Sequence, residues 1–161
     1  MIKSYFILLI CFACSYTTTA QRYYSGVFPE EQLDFIKSNY AWNEEEFLII
    51  NYKYPISTCH YNQYRNPDNA KAWWEDYYEN LKLGDQVHNI FVYAEKDKMA
   101  YIIDKKKYFP DYADFLLDKL FSVKEACYGL LIVDKEGDYY QKIGEYSKDD
   151  VSFFINLLRR N

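Results

Sequence analysis

The stretch Cys127-Tyr-Gly-Leu-Leu-Ile-Val-Asp134-Lys-Glu-Gly137-Asp-Tyr-Tyr-Gln-Lys-Ile143-Gly-Glu-Tyr-Ser147 decides the fold of this chain. Tyr128 to Val133 is a continuous apolar run of strand length, the pattern of a strand covered on both faces. Asp134-Lys-Glu-Gly137 follows with Asp first and Gly fourth, a turn signature. Asp138 to Ile143 then reads as an antiparallel return strand. Ser147 stands three residues before Asp150, a capping box that opens a last helix with Val151, Phe154, Ile155 and Leu158 as its apolar stripe. Arg159 and Arg160 suit the negative end of that helix.

Moving towards the N-terminus, Asp111 to Phe121 reads as a helix with Ala113, Leu116, Leu117 and Leu120 inward. Residues 94–110 have no decisive pattern; Met99 to Ile103 fits a short strand or a helical turn. Val87 to Tyr93 is rich in β-branched and aromatic residues and reads as a strand. Asn66-Pro67-Asp68 is a helix start, with Asn66 as cap and proline in the first turn. That helix runs to about Lys82, with Ala70, Trp73 or Trp74, Tyr77 and Leu81 along one side. Phe47 to Tyr54 is a buried-type strand ended by Pro55, and residues 55–66 form an irregular segment holding Thr58, Cys59 and His60. Residues 29–40 read as a helix, with Glu30 and Glu31 at its positive end. Right-handed crossovers place strand 47–54 centrally, beside strand 87–93 and near strand 128–133. The expected class is α/β, a central mixed sheet with helices on both faces.

Composition bounds the function. The chain has 161 residues, 50% apolar, enough for one core. Its 19 Tyr, 11 Phe and 3 Trp suit either a binding surface or ordinary half-buried packing. Residues 1–20 have the character of a secretory signal: Lys3, the apolar Tyr5 to Ala13, then Thr18-Thr-Ala20 before a cut at Gln21. Lipid attachment at Cys11 or Cys14 competes, but each lacks one of the usual neighbouring residues. The apolar run is shorter than the roughly 20 residues that span a bilayer. Cleavage would remove Lys3, leaving 18 basic against 24 acidic residues, a net charge of −6. Lys105-Lys-Lys107 is the single basic run, so nucleic acid is not an expected partner. The expected domains are a signal at 1–20 and one folded unit from 26 to 161, secreted or periplasmic, with no membrane span after cleavage.

The Leu131-Ile-Val-Asp134-Lys-Glu-Gly137 and Ile143-Gly-Glu-Tyr146 segments, with the closing helix, resemble the C-terminal half of thioredoxin-like and peroxiredoxin-like proteins. Leu48-Ile-Ile-Asn51-Tyr52 is similar to the strand leading into their active-site loop. The likeness covers about residues 45–158 and implies a thioredoxin-like three-layer sandwich. Two departures stand out. The paired cysteines separated by two residues are absent, with Ile56 and Asn62 three residues either side of Cys59, and no proline precedes Tyr128-Gly129. Pro55, Thr58 and Cys59 only loosely echo the peroxiredoxin arrangement, with different spacing and no arginine placed by it.

The resemblance further implies that the loop after strand 47–54 meets the loop before strand 128–133. Cys59 and Cys127 would then be neighbours although they stand 68 positions apart. The candidate site is therefore Cys59 and Cys127, with His60 supplying charge and Thr58 a hydroxyl to favour a thiolate. The alternative for the same pair is a structural disulfide closing a long loop in an exported domain. A copper or zinc site of Cys59, His60 and Cys127 has suitable donors but no recognised chelating spacing, and neither metal nor cofactor is expected. Glu44-Glu-Glu46 and Asp149-Asp150 read as solvated charge and helix capping. Two functions follow: an atypical thiol–disulfide protein acting on a protein thiol or disulfide partner, or a non-catalytic thioredoxin-like module that binds a protein or small ligand.

Overall fold

The computed structural model describes residues 23–55, 67–81, 83–122 and 126–160. Six strands form one mixed sheet in the order β1-β6-β5-β2-β3-β4. The strands are β1 (Tyr23–Val27), β2 (Phe47–Lys53), β3 (Val87–Tyr93), β4 (Tyr108–Pro110), β5 (Tyr128–Asp134) and β6 (Asp138–Ile143). The helices are α1 (Glu30–Asn39), α2 (Pro67–Glu79), α3 (Phe115–Lys119) and α4 (Lys148–Leu158). β2 lies between β3, to which it is parallel, and β5, to which it is antiparallel. β5 and β6 pair antiparallel, and β1 adds to the outer side of β6.

Every residue of β2 and β5 is buried, as their apolar runs require. Alternate residues feed two cores, one on each side of the sheet. Leu48, Ile50, Tyr52, Leu131 and Val133 pack with Leu33 and Ile36 of α1 and Leu116 of α3. Phe47, Ile49, Leu130 and Ile132 pack with Trp74 and Tyr78 of α2 and with Val151, Phe154, Ile155 and Leu158 of α4. The stripe expected on the last helix is thus its buried face. Its capping box is formed as well: the Ser147 hydroxyl accepts from the Asp150 N–H, and the Asp150 carboxylate accepts from the Ser147 N–H at 2.6 Å. At the 134–137 turn, the Gly137 N–H donates to the Asp134 carbonyl at 3.1 Å, and Gly137 takes φ +96°, a conformation that favours glycine.

Three regions go beyond the expected pattern or depart from it. β1, Tyr23–Val27, is a strand with no counterpart in that pattern. Residues 94–110 yield a turn around Met99 to Ile103 and the short strand β4, parallel to β3. The helix expected over 111–121 is instead a 3-10 turn, Tyr112–Asp114, followed by α3. Ala113 and Asp114 both adopt left-handed backbone, at φ 55° and 53°, which breaks the helical register and leaves Ala113 exposed rather than inward. Leu116 is buried, and Leu117 and Leu120 pack half-buried against the same core. Among the described residues no helix is long and apolar enough to cross a membrane.

Candidate functional site at the end of the central strand

Strand β2 runs from a structural end to a chemically unusual one. At its start, Leu48 is level with His88 of β3. The His88 ring is held between the Tyr40 carbonyl, 3.1 Å from Nε2, and the Glu45 carboxylate, 3.6 Å from Nδ1. This histidine therefore braces the start of the parallel pair, at the opposite end of the sheet from Cys127.

Midway along β2, Asn51 is fully buried. Its amide donates to the Asn89 side chain at 2.7 Å and to the Ile90 carbonyl at 2.8 Å. Its oxygen accepts from the hydroxyls of Tyr78 and Tyr146, the latter at 2.6 Å. Two donors and two lone pairs are all used, so this polar group sits inside the core without an unmet demand.

Two residues on, at the C-terminal end of β2, Lys53 is buried at 4% exposure. In the ladder it stands opposite Tyr128 of β5 and Tyr93 of β3. Its Nζ lies 3.7 Å from the centre of the Trp74 ring and 4.1 Å from that of Tyr128, and it has no hydrogen-bond partner. Trp74 also packs against Tyr128, at 6.0 Å between ring centres, and against Tyr146, at 5.5 Å. Desolvation pushes the Lys53 amine well below its ordinary value. The ring faces oppose that shift, since π-electron density favours a cation, but they do not replace a hydration shell.

Cys127 adjoins this box. The Tyr54 N–H, one residue past Lys53, donates to the Cys127 carbonyl at 3.2 Å. Cys127 is half-buried against the same core as Lys53's rings. It is disulfide-bonded, and its partner sulfur lies outside the described residues. Thr58, Cys59 and His60 also lie outside them, as does the side chain of Trp73. Of Trp73 and Trp74, either of which the helical spacing could place along the inward side, Trp74 is buried. Packing explains the glycine after Tyr128: a Cβ on Gly129 would run into the ring of Phe121, which stacks on Tyr52 at 4.4 Å.

On the other side of the sheet, an open cleft of about 270 Å³ lies beyond β3 and β4, lined by residues 94–98 with Asp111, Ala113 and Asp114. Asp111 is buried there and fully engaged. Its carboxylate accepts from the N–H groups of Leu116 and Leu117 at 3.0 and 2.9 Å and from the Tyr52 hydroxyl at 2.9 Å. Burial still lifts its pKa above the usual carboxylate value, against the pull of those donors. It caps a helix and ties it to β2. Among the described residues no group of histidine, cysteine, aspartate or glutamate side chains could hold a metal ion.

Lys53 was missed in reading the sequence, although a signal exists. Asn51 and Lys53 are polar residues inside a strand otherwise built for double burial, and a buried charge demands a partner or a purpose. No protein-family model, curated protein or solved structure matches this chain.

Proposed function

We propose that this chain is an exported, thioredoxin-like thiol–disulfide protein whose working couple is Cys59–Cys127. Support for the fold comes from the strand order β6-β5-β2-β3, with one parallel and two antiparallel pairings, and from the closing helix after β6. Helices on both faces suit the three-layer sandwich that the sequence resemblance implies. The observation that carries the function is the disulfide at Cys127, on the residue bonded to the chain leaving β2.

Cys59 is the preferred partner on chain length. It stands five positions after Tyr54, and five extended residues reach about 17 Å, so the segment after β2 is long enough to return to Cys127. Cys11 and Cys14 belong to the segment read as a signal. With the bond at the C-terminal end of a parallel pair, where open α/β sheets place their ligand sites, the couple would meet a protein disulfide or thiol from outside. His60 and Thr58 remain the proposed thiolate supports, and the destination is secreted or periplasmic.

Disulfide mapping by mass spectrometry of the unreduced exported protein, followed by dithiothreitol treatment, tests this. The expected result is a Cys59–Cys127 linkage that opens while the near-UV circular dichroism stays native. A different linkage, or a bond that opens only on unfolding, favours the structural disulfide of a non-catalytic binding module.

A further inference from the structure

Among the described residues the exposed large apolar side chains are Tyr23, Tyr24, Val27, Tyr101 and Phe153, and all but Tyr101 lie at the β1 edge of the sheet. Tyr23, Tyr24 and Val27 are on β1 itself. Phe153 is on α4 next to Phe154, whose ring lies 6.0 Å from that of Tyr23. β1 carries no charge, proline or bulge of the kind that guards an open edge.

The backbone of β1 divides by parity. The Phe28 N–H donates to the Gly137 carbonyl at 2.9 Å, and the register continues unbroken from Val27 opposite Asp138 to Tyr23 opposite Lys142. Hydrogen-bonded pairs alternate along an antiparallel ladder. Tyr24 and Gly26 therefore turn their N–H and C=O groups towards β6. Tyr23, Ser25 and Val27 turn theirs outward, away from the sheet.

We infer that β1 is a self-association edge: two copies of this chain pair their β1 strands antiparallel about a two-fold axis at Ser25, joining the two sheets into one. That register uses the whole strand. Ser25 faces Ser25 of the second copy, Tyr23 faces Val27, and every outward N–H meets an outward C=O. The side chains fit as well. Tyr24 falls opposite Gly26, which has no side chain of its own and already admits the Tyr139 ring over it. Tyr23 and Val27 cover one another on the α4 face, beside Phe153. Moving the axis to Tyr24 would set two tyrosines directly opposite and leave Val27 unpaired.

This self-complementarity favours a second copy over an unrelated strand, and a two-fold contact of this kind closes at two chains. The chain's own N-terminal segment is not the occupant. With residues 1–20 read as a cleaved signal, only Gln21 and Arg22 precede β1, no more than the loop of a tight hairpin. The strand offers five residues, against roughly 20–30 a side in a standard stable interface, so the dimer is reversible and depends on concentration. The inference does not depend on the thiol–disulfide reading.

Sedimentation of the exported protein over a micromolar to near-millimolar series tests it, with intermolecular disulfides excluded on a non-reducing gel. The expected result is a shift from monomer to dimer and no larger species. Hydrogen exchange read by NMR should show the Ser25 and Val27 amides slowed at least tenfold at the concentrated end, while Tyr24 and Gly26 are protected at both ends. S25P removes an outward N–H and leaves the ladder with β6 intact, as an edge strand tolerates. It should weaken dimerisation at least tenfold with native circular dichroism, and V27K, which places a charge opposite Tyr23, should do the same. A protein that stays monomeric with fast Ser25 exchange overturns the inference. So does a dimer that both variants leave unchanged, or growth beyond two copies. The wild-type exchange pattern and V27K decide the matter if S25P does not fold.

Discussion

Lys53 and Lys142 are both strand lysines with their charged ends out of water, at 4% and 6% exposure, yet they have opposite surroundings. Lys142, on β6, reaches across to α4 and meets both oxygens of Asp150 at 2.8 Å. Asp150 is also the capping residue of that helix, so the pair ties sheet to helix through one carboxylate. Lys53, on β2, meets two aromatic faces and no hydrogen-bond acceptor. The first arrangement is complete and reads as architecture. The second holds its amine by ring faces alone among the described residues.

The comparison is broken most forcefully at Lys142. Replacing it with methionine strands the Asp150 carboxylate in a half-buried position, and loss of one member of such a pair costs about 3 kcal/mol. Urea unfolding of K142M should show that loss in its midpoint with little change in slope. The pH dependence sharpens the same point. Burial alone would raise the Asp150 pKa, but the Lys142 ammonium and the Ser147 N–H and hydroxyl outweigh it and hold the group below the ordinary carboxylate value. A depressed folded-state pKa contributes stability above the unfolded value of about 3.9, and that contribution disappears as pH falls through the folded value. The stability gap between wild type and K142M should therefore narrow on acidification from pH 5 to below pH 3. A gap that stayed constant would remove Asp150 as the partner.

The smallest effect on stability is expected at Lys53. K53M trades an amine without a polar partner for an apolar chain of similar length, losing the ring contacts and the desolvation cost together. Its stability in the disulfide form should stay within about 1 kcal/mol of wild type. A loss as large as that of K142M would show that Lys53 is held by an interaction as strong as an ion pair, contrary to the distinction drawn here.

Much of the architecture was legible because its signals are local. Val87–Tyr93 coincides with the strand read from β-branched and aromatic residues, Asp138–Ile143 with the return strand expected after the 134–137 turn, and Ser147 with Asp150 marks the last helix by its own hydrogen bonds. What escaped has weak local signals. β1 is an edge strand whose Tyr23, Tyr24 and Val27 face solvent, so no apolar period distinguishes it. β4 is three residues long, too short for periodicity, and exists because β3 offers it an edge. The false helix at 111–114 failed because Asp111 turns its carboxylate onto the Leu116 and Leu117 N–H groups, starting the helix later than the leucine spacing suggests. The site is split in the same way. Cys127 stood out by its place before a buried strand. Lys53 became notable only when packing set Trp74, from α2, over its amine. That contact joins residues 21 positions apart, beyond any local pattern.

The reduction potential of the Cys127 bond in folded protein at pH 7, equilibrated against a dithiothreitol or glutathione series, addresses the central claim most directly. A working couple should titrate above about −300 mV while the native circular dichroism persists. A value below that, in a protein that stays folded, would make the bond a structural staple and contradict the thiol–disulfide account.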